Sequence, residues 1–193
     1  MEDFKVEGQN IRHIGLVTLR PGDAKEVVEA YRYTMQPHHQ PAVLILSQQP
    51  LPTLDRSKYA PASGVSRGAY VLDDAPEVYP DIILIGIGCE LSLAVEAHEK
   101  LCAEGIRSRL VSMPSWEIFE HQPKFYRESV LPPGTKICIV TEQASTFTSE
   151  RYVGTEGSTI GSKTYETSTP IMAVQNLESI HKNPMECAAA KAR

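Results

Sequence analysis

The chain has 193 residues, of which 41% are hydrophobic and 22% are charged, and its net charge is −5 at pH 7. This composition is typical of a globular protein with enough apolar residues to form a core. The negative charge argues against nucleic acid as a partner, and the lack of any run of roughly 20 apolar residues argues against a membrane span.

The N-terminal part of the chain predicts a strand, a helix and a second strand. Residues 14–19 form a short apolar run, and Asp23 is a candidate N-cap for a helix over residues 24–35, with Glu26 completing a capping box. Residues 42–47 are a continuous apolar run, typical of a strand buried on both faces. Because such strands need neighbours, we expect apolar surface to stay uncovered here and the isolated chain to self-associate.

Residues 48–67 are predicted to be an irregular linker between domains. They contain too many residues that break regular structure, and they are too long for an ordinary connection. The breakers are Pro50, Pro52, Pro61 and Gly64. We therefore expect one structural unit over residues 1–47 and a separate domain over residues 68–193.

The second half of the chain alternates predicted strands and helices. Residues 90–104 carry apolar side chains at helical spacing, and Gly105 is placed to end this helix. Apolar runs typical of strands lie at 68–72, 81–86, 107–113, 136–142 and 157–161, and shorter helices are predicted near 113–122, 124–129 and 183–191. This alternation predicts an α/β fold, a three-layer α/β/α domain with a mainly parallel sheet, preceded by the partial α/β unit.

No local motif indicates an active site by itself. The segment IGIGCE follows a predicted strand as a dinucleotide-binding loop does, but Leu91 stands where the third glycine belongs, so a tight turn is favoured over an anion site. Glu142 ends a strand, where α/β folds place ligand groups, although a carboxylate that caps backbone amides is the favoured interpretation. His98 lies on the apolar stripe of its helix and is predicted to be a semi-buried histidine with satisfied hydrogen bonds, rather than a ligand or a base.

The cysteines and paired histidines do not indicate a metal site. The cysteines are spread without a C-x-x-C pair, whereas zinc ligands usually come in pairs at short spacing. They are Cys89, Cys102, Cys138 and Cys187. Reduced thiols in a cytoplasmic protein are therefore expected. His38 and His39 lie between prolines in a polar loop, where solvation is expected rather than metal binding.

Several longer segments resemble transketolases. Residues 19–33, LRPGDAKEVVEAYRY, are similar to the family's Arg-Pro-Ala-Asp stretch and the helix after it, and residues 42–56 are similar to its Leu-Ser-Arg-Gln-Asn-Leu-Pro segment. The long block 80–133 and the segment TEQASTFTSERYVG at 141–154 follow in the family's order and spacing. On these segments the chain is identified as a member of the transketolase family over about residues 5–161.

The resemblance implies which parts of a transketolase this chain contains. It corresponds to the C-terminal domain at residues 68–193 and, at residues 1–47, to the end of the pyrimidine-binding domain. The residues that bind thiamine diphosphate and magnesium, and the glutamate that activates the cofactor, belong to parts of the family with no counterpart here. The resemblance therefore implies a fragment with no catalytic, cofactor-binding or metal-binding residues of its own, and no transfer of two-carbon ketol units between sugar phosphates by the chain alone.

Two positions correspond to substrate-contacting residues of the family, and both depart from its pattern. Gln48 stands at the family's phosphate-binding arginine, and a neutral amide offers neither the charge nor the forked donor of a guanidinium. Asp3 stands at a substrate-contacting histidine. Residues 165–170, YETSTP, replace the family's Phe-Gly-x-Ser-Ala-Pro.

Two other functions remain open. In the first, the chain is a C-terminal subunit of a split transketolase. In the second, it is a non-catalytic dimerisation or binding module. The partner expected is therefore a second copy of the chain or a transketolase-like chain.

Overall fold

The computed structural model describes residues 15–36, 40–74, 79–135, 137–142 and 158–161. Asp3, the paired histidines, the segment 165–170 and the helix predicted at 183–191 lie outside these ranges. Among the described helices, none has the length and apolar character needed to cross a membrane.

The N-terminal unit is a β-α-β arrangement, as predicted. It consists of β1 (Val17–Leu19), α1 (Ala24–Thr34) and β2 (Ala42–Leu44), and the two strands pair in parallel. Asp23 caps α1, because its carboxylate accepts a hydrogen bond from the Glu26 N–H at 2.7 Å. The side chain of Glu26 turns back to the N–H of Gly22 at 2.7 Å, so the predicted capping box closes on the residue before the N-cap.

The two-stranded sheet has one covered face and one uncovered face. Val17 and Leu19 of β1 are buried in the same core cluster as Ala30 of α1. On the opposite face, Val43 and Ile45 are 42% and 46% exposed. The prediction that this strand is buried on both faces is therefore wrong, because the described residues pack a layer against one face only. The expectation of uncovered apolar surface is confirmed.

The segment between the unit and the larger sheet packs tightly. Leu54, Tyr59 and Val65 are buried, and they belong to the same core cluster as β1. The prediction that residues 48–67 lack regular structure is wrong at their end, where Ala62–Arg67 form a 3-10 helix. The apolar side chains of this segment pack into the core, and the free energy gained by their burial outweighs the poor helical propensity of the segment.

The larger sheet has five strands in the order β3-β5-β4-β6-β7. Its strands are β3 (Tyr70–Asp73), β4 (Ile82–Gly86), β5 (Ser108–Ser112), β6 (Ile137–Glu142) and β7 (Ser158–Gly161). All neighbours pair in parallel except β3, which runs antiparallel to β5 at the edge. The helices are α2 (Leu91–Ala103), α3 (Trp116–Glu120) and α4 (Lys124–Val130). The predicted α/β class with a mainly parallel sheet is confirmed.

Alternating side chains of β4 build the two sides of this domain. Ile82 and Leu84 face a core cluster that also contains residues of α2, while Ile83 and Ile85 face a second cluster that contains Phe119 of α3. Helices therefore cover both faces of the sheet, which gives the three predicted layers. The N-terminal unit joins the core on the α2 side, so the apolar core runs without a break from β1 into the larger sheet.

Candidate functional site

Gln48 lies four residues after the end of β2, and its side chain is exposed. The backbone around Gln48 is held by a contact between its two neighbours, because the Ser47 hydroxyl accepts a hydrogen bond from the N–H of Gln49 at 3.0 Å. Within the described ranges, the Gln48 amide forms no hydrogen bond with the protein. The position is therefore open to a ligand, but it presents a neutral amide.

The two other predicted ligand positions are Asp3 and Glu142. Asp3 lies outside the described residues. Glu142 is the last residue of β6, at the carboxyl end of the parallel strands as expected. Of the two predicted substrate positions, the structure therefore describes Gln48 alone.

A buried polar cluster at the start of α1 was missed by the sequence reasoning. The carboxylate of Asp23, with no side-chain exposure, accepts from the Leu54 N–H at 3.1 Å and from Arg56 Nη2 at 2.7 Å. Arg56 Nη1 also donates to the Ala60 carbonyl at 2.8 Å and to the Tyr70 hydroxyl at 3.0 Å. The cluster thus joins α1, the segment after β2 and the edge strand β3.

Glu26 is the second carboxylate of this cluster. It is fully buried and accepts from the hydroxyls of Tyr70 and Ser112, each at 2.6 Å. Burial raises the pKa of Glu26, opposed by its hydrogen bonds to the Gly22 N–H and the two hydroxyls, while the negative charge of Asp23 raises that pKa further. Burial and the nearby Glu26 raise the pKa of Tyr70, so its hydroxyl stays protonated as a donor.

These contacts make the cluster a clamp between regions instead of a binding site. Each carboxylate oxygen of Asp23 and Glu26 already accepts from a protein donor, so none is left to hold a ligand. In the sequence, the spacing of Asp23 and Glu26 indicated a helix cap and nothing else. No pattern in the sequence signalled Arg56 or Ser112, because Ser112 lies 86 residues from Glu26 along the chain.

His98 lies in an arrangement that superficially matches a Ser-His-Asp triad. Its Nδ1 is 2.7 Å from the Ser108 hydroxyl, and its Nε2 is 3.2 Å from the Asp73 carboxylate. Ser108 is fully buried, so no substrate can reach its hydroxyl. Both ring nitrogens of His98 have partners, which confirms the prediction of a satisfied histidine, and the side chain is more deeply buried than predicted.

The IGIGCE segment forms the tight strand-to-helix turn that was predicted. Gly88 has a φ of +62°, in the left-handed region that favours glycine. A Cβ atom on Gly86 would lie 2.7 Å from the Cα of Leu91, so glycine lets the first turn of α2 approach β4. Leu91 is itself buried, and it fills the space where a dinucleotide loop keeps a glycine.

Two cysteines of the described part are protected from reaction. Burial, and contact with Glu90, raise the pKa of Cys89 to about 12, and burial alone raises that of Cys138 to about 12. A thiol with such a pKa stays protonated at neutral pH and is a poor nucleophile. Cys89, Cys102 and Cys138 are all free thiols.

Comparison with known proteins decides the family. Residues 68–179 match the family model of the transketolase-like C-terminal domain. The chain belongs to the transketolase family. It is 40% identical to a transketolase of Geobacillus stearothermophilus over 155 residues, which are 80% of this chain and 23% of that protein. Transketolase 7 of Craterostigma plantagineum is 40% identical over 158 residues, with the same shares covered.

Solved structures agree with this assignment. The transketolase of Leishmania mexicana matches with a TM-score of 0.76 and 31% identity, covering 91% of this chain and 25% of that one. A split-gene transketolase described as an inactive β4 tetramer has a TM-score of 0.59 and 18% identity, and this chain covers 57% of it. That likeness shows the fold alone. The chain thus spans 23% of the length of each of these two curated transketolases.

The described residues do not form a metal site of the kind that the resemblance to transketolases implies for the whole family. Magnesium and a diphosphate need a group of oxygen or nitrogen ligands that converge on one point. In the ranges that the structure describes, no group of three His, Cys, Asp or Glu side chains could hold a metal ion. No catalytic step through thiamine diphosphate is therefore assigned to these residues.

Proposed function

We propose that this chain is the C-terminal part of a transketolase. In this proposal it takes part in the transfer of two-carbon ketol units between sugar phosphates, in the pentose phosphate pathway, together with the parts of a transketolase that supply the thiamine diphosphate and magnesium sites. The observation that carries the proposal is the match of residues 68–179 to the C-terminal domain, in a chain that covers 23% of the Geobacillus stearothermophilus transketolase.

The division of the chain follows from the same proposal. Residues 1–47 are the end of the pyrimidine-binding domain, residues 48–67 are the linker, and residues 68–193 are the C-terminal domain. The two-stranded unit has an uncovered face with Val43 and Ile45, and apolar surface of this kind supports docking against a further layer of structure. A cytoplasmic location, consistent with the free thiols, belongs to this proposal.

The first experiment is an activity test with and without a complementing chain. The complement is the Geobacillus stearothermophilus transketolase without the 155 residues that match this chain. Titration calorimetry with thiamine diphosphate and magnesium, together with a coupled ketol-transfer assay, should show neither binding nor turnover for this chain alone. Turnover should appear only in the mixture. Tight cofactor binding or turnover by this chain alone would overturn the proposal.

The second part of the test measures the effect of the residue at position 48 on phosphate binding. Replacing a charged, forked donor by an amide removes a contact worth on the order of 1.5–3 kcal/mol. In the active mixture, Gln48→Arg should therefore lower KM for phosphorylated substrates roughly ten- to a hundredfold. Gln49→Arg adds the same charge to the neighbouring exposed residue and serves as the matched control. An equal decrease of KM in both variants would show a general charge effect.

The neutral amide at Gln48 also favours a second function, that of a non-catalytic binding module. Such a module keeps the docking surface and has no need for a phosphate-binding arginine. It predicts a stable complex with the complement and no turnover, even for Gln48→Arg. Sedimentation of the mixture beside the assay separates this outcome from a failure to associate.

A further inference from the structure

We draw no further inference here: the strongest candidate, the side-chain cluster in which the exposed Cys102 thiol of α2 lies 3.7 Å from His98 Nε2 and 3.5 Å from the Ser108 hydroxyl, rests on a lone cysteine, because its support consists of contacts within the cluster and no second observation among the described residues points to a ligand or a reactant.

Discussion

The two sheets of this molecule contain strands of similar composition in different surroundings. β4, the strand of Ile82–Gly86, is buried along its whole length, with helices on both faces and a parallel strand on each side. β2 comes from an equally apolar run, yet Val43, Ile45 and Leu46 are each more than 40% exposed. A continuous apolar run therefore predicts a strand that needs packed layers on its faces, and the rest of the fold determines whether those layers are present.

A clamp of buried polar groups holds the two regions together. Asp23 and Glu26 come from the N-terminal unit, while Tyr70 and Ser112 come from the larger sheet. Arg56 lies between them and bonds to Asp23 and Tyr70. The N-terminal unit, which lacks cover on one face, is thus fixed to the larger domain by polar contacts as well as by the shared core.

The largest effect is expected from opening the clamp. Arg56→Ala leaves the carboxylate of Asp23 buried without its cation, and it should lower the free energy of unfolding by about 3–5 kcal/mol. Urea unfolding measures this loss. Arg107→Ala is the matched control, since the Arg107–Asp81 pair is about half exposed at both side chains and its loss should be below about 1 kcal/mol. Similar losses in the two variants would show that the clamp does not join the regions.

A second comparison sets a covered residue against an uncovered one. Leu84 is 1% exposed at the centre of β4, and Leu84→Ala should lower the free energy of unfolding by about 3 kcal/mol through lost burial and a cavity. Val43→Ala, on the uncovered face of β2, should change it by less than about 0.5 kcal/mol in the monomer. Thermal and urea unfolding at low protein concentration check both values. A large loss for Val43→Ala would mean that its face is covered in solution.

Much of the fold could be predicted from the sequence, because most elements depend on local patterns. The helical stripe of α2 and the apolar runs of β4, β5 and β6 identify themselves by spacing, and their alternation predicts a parallel sheet. The uncovered face of β2 was also predicted, because a strand with such an apolar sequence needs neighbouring layers that the short N-terminal unit does not provide. The order of strands, with β3 antiparallel at the edge, depends on contacts between distant segments that spacing does not encode.

The candidate site was less predictable. Gln48 was found only through the resemblance to transketolases, since a glutamine in a polar turn has no signal of its own. The clamp was missed because its partners are far apart in the sequence: Arg56 lies 33 residues from Asp23. Buried arginine and tyrosine side chains look the same in a sequence as exposed ones, and only the packing distinguishes them.

The smallest effect expected is a pH dependence that belongs to the clamp. Burial raises the pKa of Glu26 above its ordinary value of 4.5. The contribution of such a group to stability is fully present below pH 4.5 and is lost as the pH rises through the folded-state pKa, because the folded protein then holds a buried negative charge. Each unit of difference between the folded and unfolded pKa corresponds to about 1.4 kcal/mol.

Glu26→Gln keeps the shape of the side chain and removes the titration, and the hydroxyls of Tyr70 and Ser112 can rotate to accept from its amide. The natural chain should therefore lose stability relative to Glu26→Gln between pH 5 and pH 8, as measured by urea unfolding. Carboxylates such as Asp81, whose pKa is lowered by its hydrogen bond to Arg107, act in the opposite direction, but they are common to both proteins and cancel in the difference. A difference that stays constant with pH, or that favours the natural chain more as pH rises, would show that Glu26 is not the buried acid of the clamp.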